Sequence, residues 1–111
     1  MKTRGNIFSI DEIVPGTLEV FEKLTTGSAL IERIVSHGQQ TPEGEWYDQE
    51  KDEWVVLLQG TARLAFAELP EIELNTGDYL LIPAHSLHRV SYTSTTPPCI
   101  WLAVHSNFSE I

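Results

Sequence analysis

A glutamate at the head of an apolar strand is the first feature of this sequence that points to chemistry. Glu53 directly precedes the apolar run 54–58. Burying a carboxylate beside such a run is costly unless the charge is paired. If Glu53 faces inward, as we expect, it needs a metal ion, a cation, or a protonated form with a raised pKa.

Three histidines are further candidates for a functional site. His85 and His88 follow Pro83, which ends an apolar strand, and His105 shares a strand face with Trp101. A histidine inside a barrel is usually only a hydrogen-bonded interior group, and His85 is expected in a surface turn. We expect a functional role for His88, because it completes the motif described below.

Composition limits the classes of partner. The chain has 16 acidic and 7 basic residues, a net charge of -9, and no cluster of lysines and arginines of the kind that nucleic acid requires. Its N-terminus has no apolar run that would form a signal peptide, and its longest apolar stretches are too short to span a bilayer. The single cysteine, Cys99, permits no internal disulfide and is compatible with a reducing compartment. We therefore expect a cytoplasmic protein whose partner is a small molecule and neither nucleic acid nor membrane.

Short segments of apolar and β-branched residues between turn signals predict an all-β chain with one domain, residues 1–111. The expected strands cover residues 18–24, 29–36, 53–58, 61–68, 71–74, 79–82, 88–93 and 100–105. Many short strands at close intervals indicate a sandwich or barrel, and the lack of helices between them excludes a parallel α/β sheet. The only helical element expected is a short N-terminal turn, where Ser9 and Glu12 form a capping box.

Two stretches carry a resemblance to a known family. Residues 77–88 follow the pattern glycine, five residues, proline, short turn, histidine, as Gly77, Pro83 and His88. In residues 47–60, Glu53 is followed after six residues by Gly60. In both stretches the sequence resembles the cupin family. The resemblance implies a double-stranded β-helix, or jelly-roll barrel, and a homodimer.

The first cupin motif departs from the family pattern, because both of its histidines are missing. Counting three residues back from Glu53 places Tyr47 and Gln49 in the histidine positions, whereas counting four places Trp46 and Asp48 there. A loop before Glu53 interrupts the alternation of strand faces, so the sequence leaves both registers open.

The resemblance also implies a set of metal ligands. In the family, the two histidines, the glutamate and the later histidine hold a divalent ion, often zinc, iron, manganese or nickel. The corresponding ligands here are Glu53 and His88, with Asp48 or Gln49 as a third and His85 as a fourth. Imidazole and carboxylate suit zinc, iron(II) or manganese, but two missing histidines weaken such a site.

Three functions remain open at this point. A metal-dependent enzyme of oxygenase, isomerase or lyase type would use Tyr47 or His105 to handle a proton. A metal-free barrel would bind a small ligand between aromatic walls that include Trp46, Tyr47 and Trp101. A purely structural barrel is the third hypothesis.

Overall fold

Eight strands form because apolar and polar residues alternate between turns. The computed structural model describes residues 3–10 and 19–108. The strands are β1 (Val20–Thr25), β2 (Leu30–Ser36), β3 (Asp52–Gln59), β4 (Ala62–Phe66), β5 (Ile72–Leu74), β6 (Tyr79–Ile82), β7 (His88–Thr93) and β8 (Cys99–Ser106). All eight coincide with predicted strands, within a few residues at each end. The described residues contain no helix long and apolar enough to cross a membrane.

The strands pair into two antiparallel sheets. The larger sheet has the order β1-β2-β8-β3-β6, and the smaller has the order β5-β4-β7. Strand β8 lies at the centre of the larger sheet and pairs with both β2 and β3. These pairings bring residues from distant parts of the chain onto one inner surface. The predicted all-β jelly-roll architecture is thus confirmed.

The core lies between the inner faces of the two sheets. In β3 every second residue is buried, from Glu53 through Val55 to Leu57, while the residues between them are more exposed. This period of two is the signature of a strand with one face on the core. The buried apolar side chains include Leu57, Leu64, Ile82 and Trp101. Cys99 is buried among them.

The motif glycines occupy turns that require left-handed backbone. Gly60, between β3 and β4, has φ of 94°, and Gly77, before β6, has φ of 93°. A Cβ at Gly60 would lie 2.8 Å from Ser94 Oγ and 2.9 Å from Cys99 Sγ, whereas a Cβ at Gly77 would meet nothing within 4 Å. Side-chain-bearing residues rarely adopt such φ values, which explains glycine at both positions.

The predicted helical turn at the N-terminus lies largely outside the described residues, because residues 11–18 are not among them. Ser9 and Ile10 are described and belong to no helix. Nearby, the Arg33 guanidinium donates hydrogen bonds to the Ile7 and Ser9 carbonyls, at 3.2 and 2.9 Å. These bonds fasten the segment 7–10 to strand β2.

Candidate functional site

A cavity opens between the two sheets at the end of the barrel where β3 begins. The cavity has a volume of about 60 Å³, counted as the space that the centres of water molecules can occupy. This is room for several waters or a small organic group. Its apolar wall consists of Phe21, Ile34, Val55, Leu64, Ile82, Val90 and Trp101. Its polar groups are Glu19, Glu32, Tyr47, Gln49, Glu53, His88 and His105.

Glu53 lies inside the barrel, as expected from its place at the start of an apolar strand. It pairs with His105 of β8 on one side and with Ile82 of β6 on the other. Only 7% of the residue is exposed. The central strands of the larger sheet therefore shield the carboxyl group from water.

His88 begins strand β7 of the opposite sheet and is 4% exposed. Its Nδ1 lies 2.7 Å from the Ser86 carbonyl oxygen, which can only accept, so Nδ1–H donates this bond. Nε2 is therefore the ring nitrogen that faces Glu53, 3.9 Å from Oε1. That distance is too long for a direct hydrogen bond and leaves space for a bridging atom.

The segment before β3 settles the register of the first motif. Tyr47 forms an isolated antiparallel bridge with His88, and its N–H donates to the His88 carbonyl at 2.7 Å. Tyr47 and Gln49 then line the cavity. Trp46 instead lies on the surface, 41% exposed, with the Arg89 guanidinium 5.9 Å from its ring centroid. The structure therefore places Tyr47 and Gln49 in the positions of the two family histidines.

Asp48 and His85 meet each other away from the cavity. Their side chains are 56% and 66% exposed, and Asp48 Oδ1 lies 2.7 Å from His85 Nδ1. His85 has φ of 61°, a left-handed value that residues with a side chain adopt uncommonly. Its backbone N–H donates to the Gln49 carbonyl at 2.8 Å. The pair holds the turn after β6 against the segment before β3. Neither side chain lines the cavity, so this placement does not support the metal-binding roles predicted for Asp48 and His85.

His105 joins the site together with two carboxylates that the sequence motifs do not include. His105 Nε2 lies 2.9 Å from Glu32 Oε1, and both side chains are nearly buried. Glu32 shares the inner face of β2 with Ile34, but the sequence alone does not select this face, because Arg33 alternates with Ile31 and Val35 in the same way. Glu19 lies just before β1 and interacts with the Ser36 side chain through a hydrogen bond. It carries no comparable signal, because its strand begins only at the next residue.

The environment shifts the pKa values of three of these groups upward. Burial raises the pKa of Glu53, and the nearby Glu32 adds to the rise; His105, His88 and a hydrogen bond from Gln49 oppose it. Burial also raises the pKa of Glu19, against a hydrogen bond from Ser36. Burial, followed by the charge of Glu19, raises the pKa of the Tyr47 phenol. The cavity therefore disfavours further negative charge.

The donor set does not fit the metal that the family often holds. Within residues 3–10 and 19–108, no three side chains of His, Cys, Asp or Glu converge closely enough to hold an ion. Glu53 and His88 correspond to two of the four metal ligands of the family, the glutamate and the later histidine. The other two positions carry a neutral carboxamide and the Tyr47 phenol, whose raised pKa disfavours the phenolate form that would bind a metal. The cavity's own acid and base groups, above all Glu53 and His88, are the chemistry that this donor set offers.

Comparison with known proteins agrees with the fold and the motifs. The sequence model of the cupin domain matches residues 33–105. A protein from Ralstonia eutropha described as a candidate mannose-6-phosphate isomerase is 38% identical, over 96% of this chain and 100% of its own, with a TM-score of 0.89. No curated protein matches the chain.

More distant structures share the fold alone. One is an RmlC-like cupin with a double-stranded β-helix from Methanocaldococcus jannaschii, at 17% identity over 93% of this chain and 94% of its own, with a TM-score of 0.66. Another is a DMSP lyase from Ruegeria pomeroyi, at 18% identity over 78% of this chain and 42% of its own, with a TM-score of 0.62. A barrel of this type with the two motifs defines the class of protein. The chain belongs to the cupin family.

Proposed function

We propose that the barrel binds a small organic molecule in the cavity and that Glu53 and His88 transfer a proton on it. The reaction class is isomerisation, in which a proton leaves one carbon and is delivered to another atom or to the opposite face, or elimination, in which a proton leaves one carbon while the bond from the next carbon to the leaving group breaks and the leaving group departs with the electron pair. The observation that carries the proposal is the buried pair itself, with Glu53 Oε1 and His88 Nε2 separated by 3.9 Å.

The geometry of the pair suits general acid–base catalysis. A carboxyl group acts as acid or base near neutral pH only if its pKa is raised, and burial raises that of Glu53. His88 is oriented by the bond from Nδ1–H to the Ser86 carbonyl, so Nε2 is presented to the cavity. A substrate atom beside the pair, off the line that joins Oε1 and Nε2, can lie within hydrogen-bond distance of both groups. Two neighbouring groups with different protonation roles are the usual arrangement for moving a proton.

Two related structures support the reaction class. The protein from Ralstonia eutropha is described as a candidate mannose-6-phosphate isomerase, and the protein from Ruegeria pomeroyi is named a DMSP lyase. Both names belong to reactions of the isomerase and lyase type. They support the class and leave the substrate of this chain to experiment.

Deuterium exchange tests the proposal on a panel of simple carbonyl compounds. The protein is incubated in D₂O with aminoacetone, hydroxyacetone, pyruvate and mannose 6-phosphate, each of which has an exchangeable C–H next to a carbonyl group in its open form. We expect enzyme-dependent incorporation into at least one compound by mass spectrometry. Glu53→Gln should slow it about 100-fold or more, the usual contribution of a positioned acid or base. Glu68→Gln, on an exposed turn, is the matched control.

Two results would contradict the proposal. Exchange at the wild-type rate in both Glu53→Gln and His88→Asn would show that the pair does not move the proton. Binding of a compound without any exchange across the panel would favour the alternative, a barrel that binds its ligand without catalysis.

Elemental analysis separates this function from a metal-dependent one. The untagged protein is purified without chelator, incubated with zinc, iron(II), manganese or nickel, and compared with His88→Ala. We expect no stoichiometric metal, because no three His, Cys, Asp or Glu side chains of residues 3–10 and 19–108 converge closely enough to hold an ion. About one ion per chain, lost in His88→Ala, would show a divalent metal held by Glu53, His88 and the Gln49 carboxamide, and would replace the metal-free mechanism.

We also propose that the protein acts as a homodimer in the cytoplasm. Strand β1 lies at one edge of the larger sheet and β6 at the other, and such edges are available for pairing with a second copy. The buried, unpaired Cys99 agrees with a reducing compartment. Light scattering coupled to gel filtration tests the dimer, and a monomer mass at all concentrations would refute it.

A further inference from the structure

The polar groups of the cavity contain many more hydrogen-bond acceptors than donors. Three carboxyl groups, from Glu19, Glu32 and Glu53, line one small space. An ionised carboxylate, the form that a bound cation would favour against the raised pKa values of Glu19 and Glu53, has about four acceptor positions. His105 Nε2 bonds Glu32 Oε1 at 2.9 Å, and hydrogen bonds from Ser36 and Gln49 oppose the rise in the pKa of Glu19 and Glu53. Most of their acceptor capacity is therefore left for a ligand.

Gln49 adds an acceptor of its own. Its side chain gives a hydrogen bond to Glu53, so the amide nitrogen faces the carboxylate. Its Oε1 is buried and has no hydrogen-bond partner. A buried carbonyl oxygen without a partner is costly, and a ligand that donates a hydrogen bond to it would remove that cost.

Among the described residues, no lysine or arginine balances these acceptors. Six of the seven lysines and arginines fall within residues 3–10 and 19–108, and none of the six lines the cavity. The arginines nearest the motifs are engaged on aromatic rings: Arg89 on Trp46 at 5.9 Å and Arg63 on Tyr92 at 5.4 Å. The two histidines of the cavity are already committed in part, since His105 Nε2 bonds Glu32 and His88 Nδ1 bonds Ser86.

From this imbalance we infer that the cavity selects a small organic cation, an ammonium compound with a short apolar body, and rejects phosphorylated compounds. The ammonium group supplies the N–H donors and the positive charge that the three carboxyl groups and Gln49 Oε1 lack. The apolar wall with Trp101 accommodates the carbon chain, and aromatic rings attract cations. A phosphate would have to enter beside three acidic groups without a cation to receive it. The inference rests on the proposed function and names its substrate class.

Matched probes measure the charge preference directly. Propylamine, protonated at neutral pH, is compared with 1-propanol and propionate, which have similar shapes and different charge, and with mannose 6-phosphate. Binding is followed through the indole ¹⁵N–¹H signal of Trp101, whose Nε1 donates to Ser36 Oγ at 3.1 Å and so reports on the cavity wall. We expect propylamine to bind at least tenfold more tightly than 1-propanol and the two anions to bind more weakly than the alcohol.

Charge-neutral variants assign the preference to the carboxyl groups. Glu32→Gln and Glu19→Gln should each lower the ratio of propylamine to 1-propanol affinity severalfold, whereas Glu68→Gln on the surface should leave it unchanged. Thermal unfolding checks that each variant folds. If Glu32→Gln does not fold because His105 loses its partner, Glu19→Gln alone decides the assignment.

The outcomes separate this inference from the proposed function. Equal affinity for propylamine and 1-propanol, absence of propylamine binding, or tighter binding of mannose 6-phosphate overturns the charge preference, while proton transfer by Glu53 and His88 is judged by deuterium exchange. Conversely, cation selectivity without exchange in any compound supports the preference and refutes the catalytic role.

Discussion

Replacing the two motif glycines by alanine gives a sharp test of the packing argument, because the two sites have nearly the same φ and differ in the space around them. Gly60 and Gly77 have φ of 94° and 93°. Left-handed backbone costs an alanine roughly 1–2 kcal/mol, against which alanine gains about 0.4–1 kcal/mol from its lower entropy in the unfolded chain. Gly77→Ala should therefore lower the free energy of unfolding by about 1 kcal/mol or less.

Gly60→Ala carries an additional cost from crowding. The new Cβ would lie 2.8 Å from Ser94 Oγ, 2.9 Å from Cys99 Sγ and 3.1 Å from Cys99 Cα. The last contact is to backbone, and Cys99 is fully buried in the core, so neither neighbour can move freely. Overpacking of this kind costs about 1–3 kcal/mol. The total for Gly60→Ala is about 2–4 kcal/mol.

Urea unfolding followed by tryptophan fluorescence measures both variants. The difference between them is more informative than either value, since the backbone cost is common to the two sites. Equal destabilisation would show that the contacts around Gly60 relax without cost and would refute the packing argument. A larger effect at Gly77 would show that the turn before β6 carries a constraint other than its φ.

Two further predictions concern the site and its supporting turn. Because burial raises the folded-state pKa of Glu53 above its ordinary value of 4.5, the stability contributed by its protonated form is fully present below pH 4.5 and is lost as the pH rises through the raised pKa. Glu53→Gln should therefore gain stability relative to the wild type as the pH rises, by about 1.4 kcal/mol for every pH unit between the two pKa values. Urea unfolding at pH 4, 6 and 8 measures the difference in stability between Glu53→Gln and the wild type. A difference that does not change with pH would contradict the conclusion that the buried site disfavours the charged form of Glu53. His85→Val should lower stability by about 1–2 kcal/mol, because a β-branched residue is strained at φ of 61°, whereas His85→Gly should be close to neutral as relief of the backbone offsets the lost contact with Asp48. Thermal unfolding compares the two variants, and a more stable His85→Val protein would show that the turn adopts another conformation.

The strands were predictable because their signal is local. In β3 and β8 buried and exposed residues alternate as the geometry of a strand requires, and Glu53 faces inward as expected. In β2, Glu32 and Arg33 each alternate with apolar residues, and Glu32 belongs to no family motif that would mark it as a site residue.

The segment before β3 could not be predicted, because no alternation runs through it. Its register depends on the bridge between Tyr47 and His88, two residues that are 41 positions apart. Only this long-range pairing turns Tyr47 and Gln49 toward the cavity and leaves Asp48 outside with His85.

The sequence by itself determined the all-β barrel, its eight strands, the turns at Gly60 and Gly77, and the inward positions of Glu53 and His88. These follow from the two-residue period of strands, from turn chemistry and from the motif spacing. The tertiary structure alone decided which groups share the cavity. Strand β8, which carries His105, pairs with β2 and β3 and so brings Glu32 and Glu53 beside His105. Glu19 also lines the cavity, and no lysine or arginine of the described residues does. The physical reason is that charge balance in a cavity depends on contacts between strands far apart in sequence, and no local pattern records them.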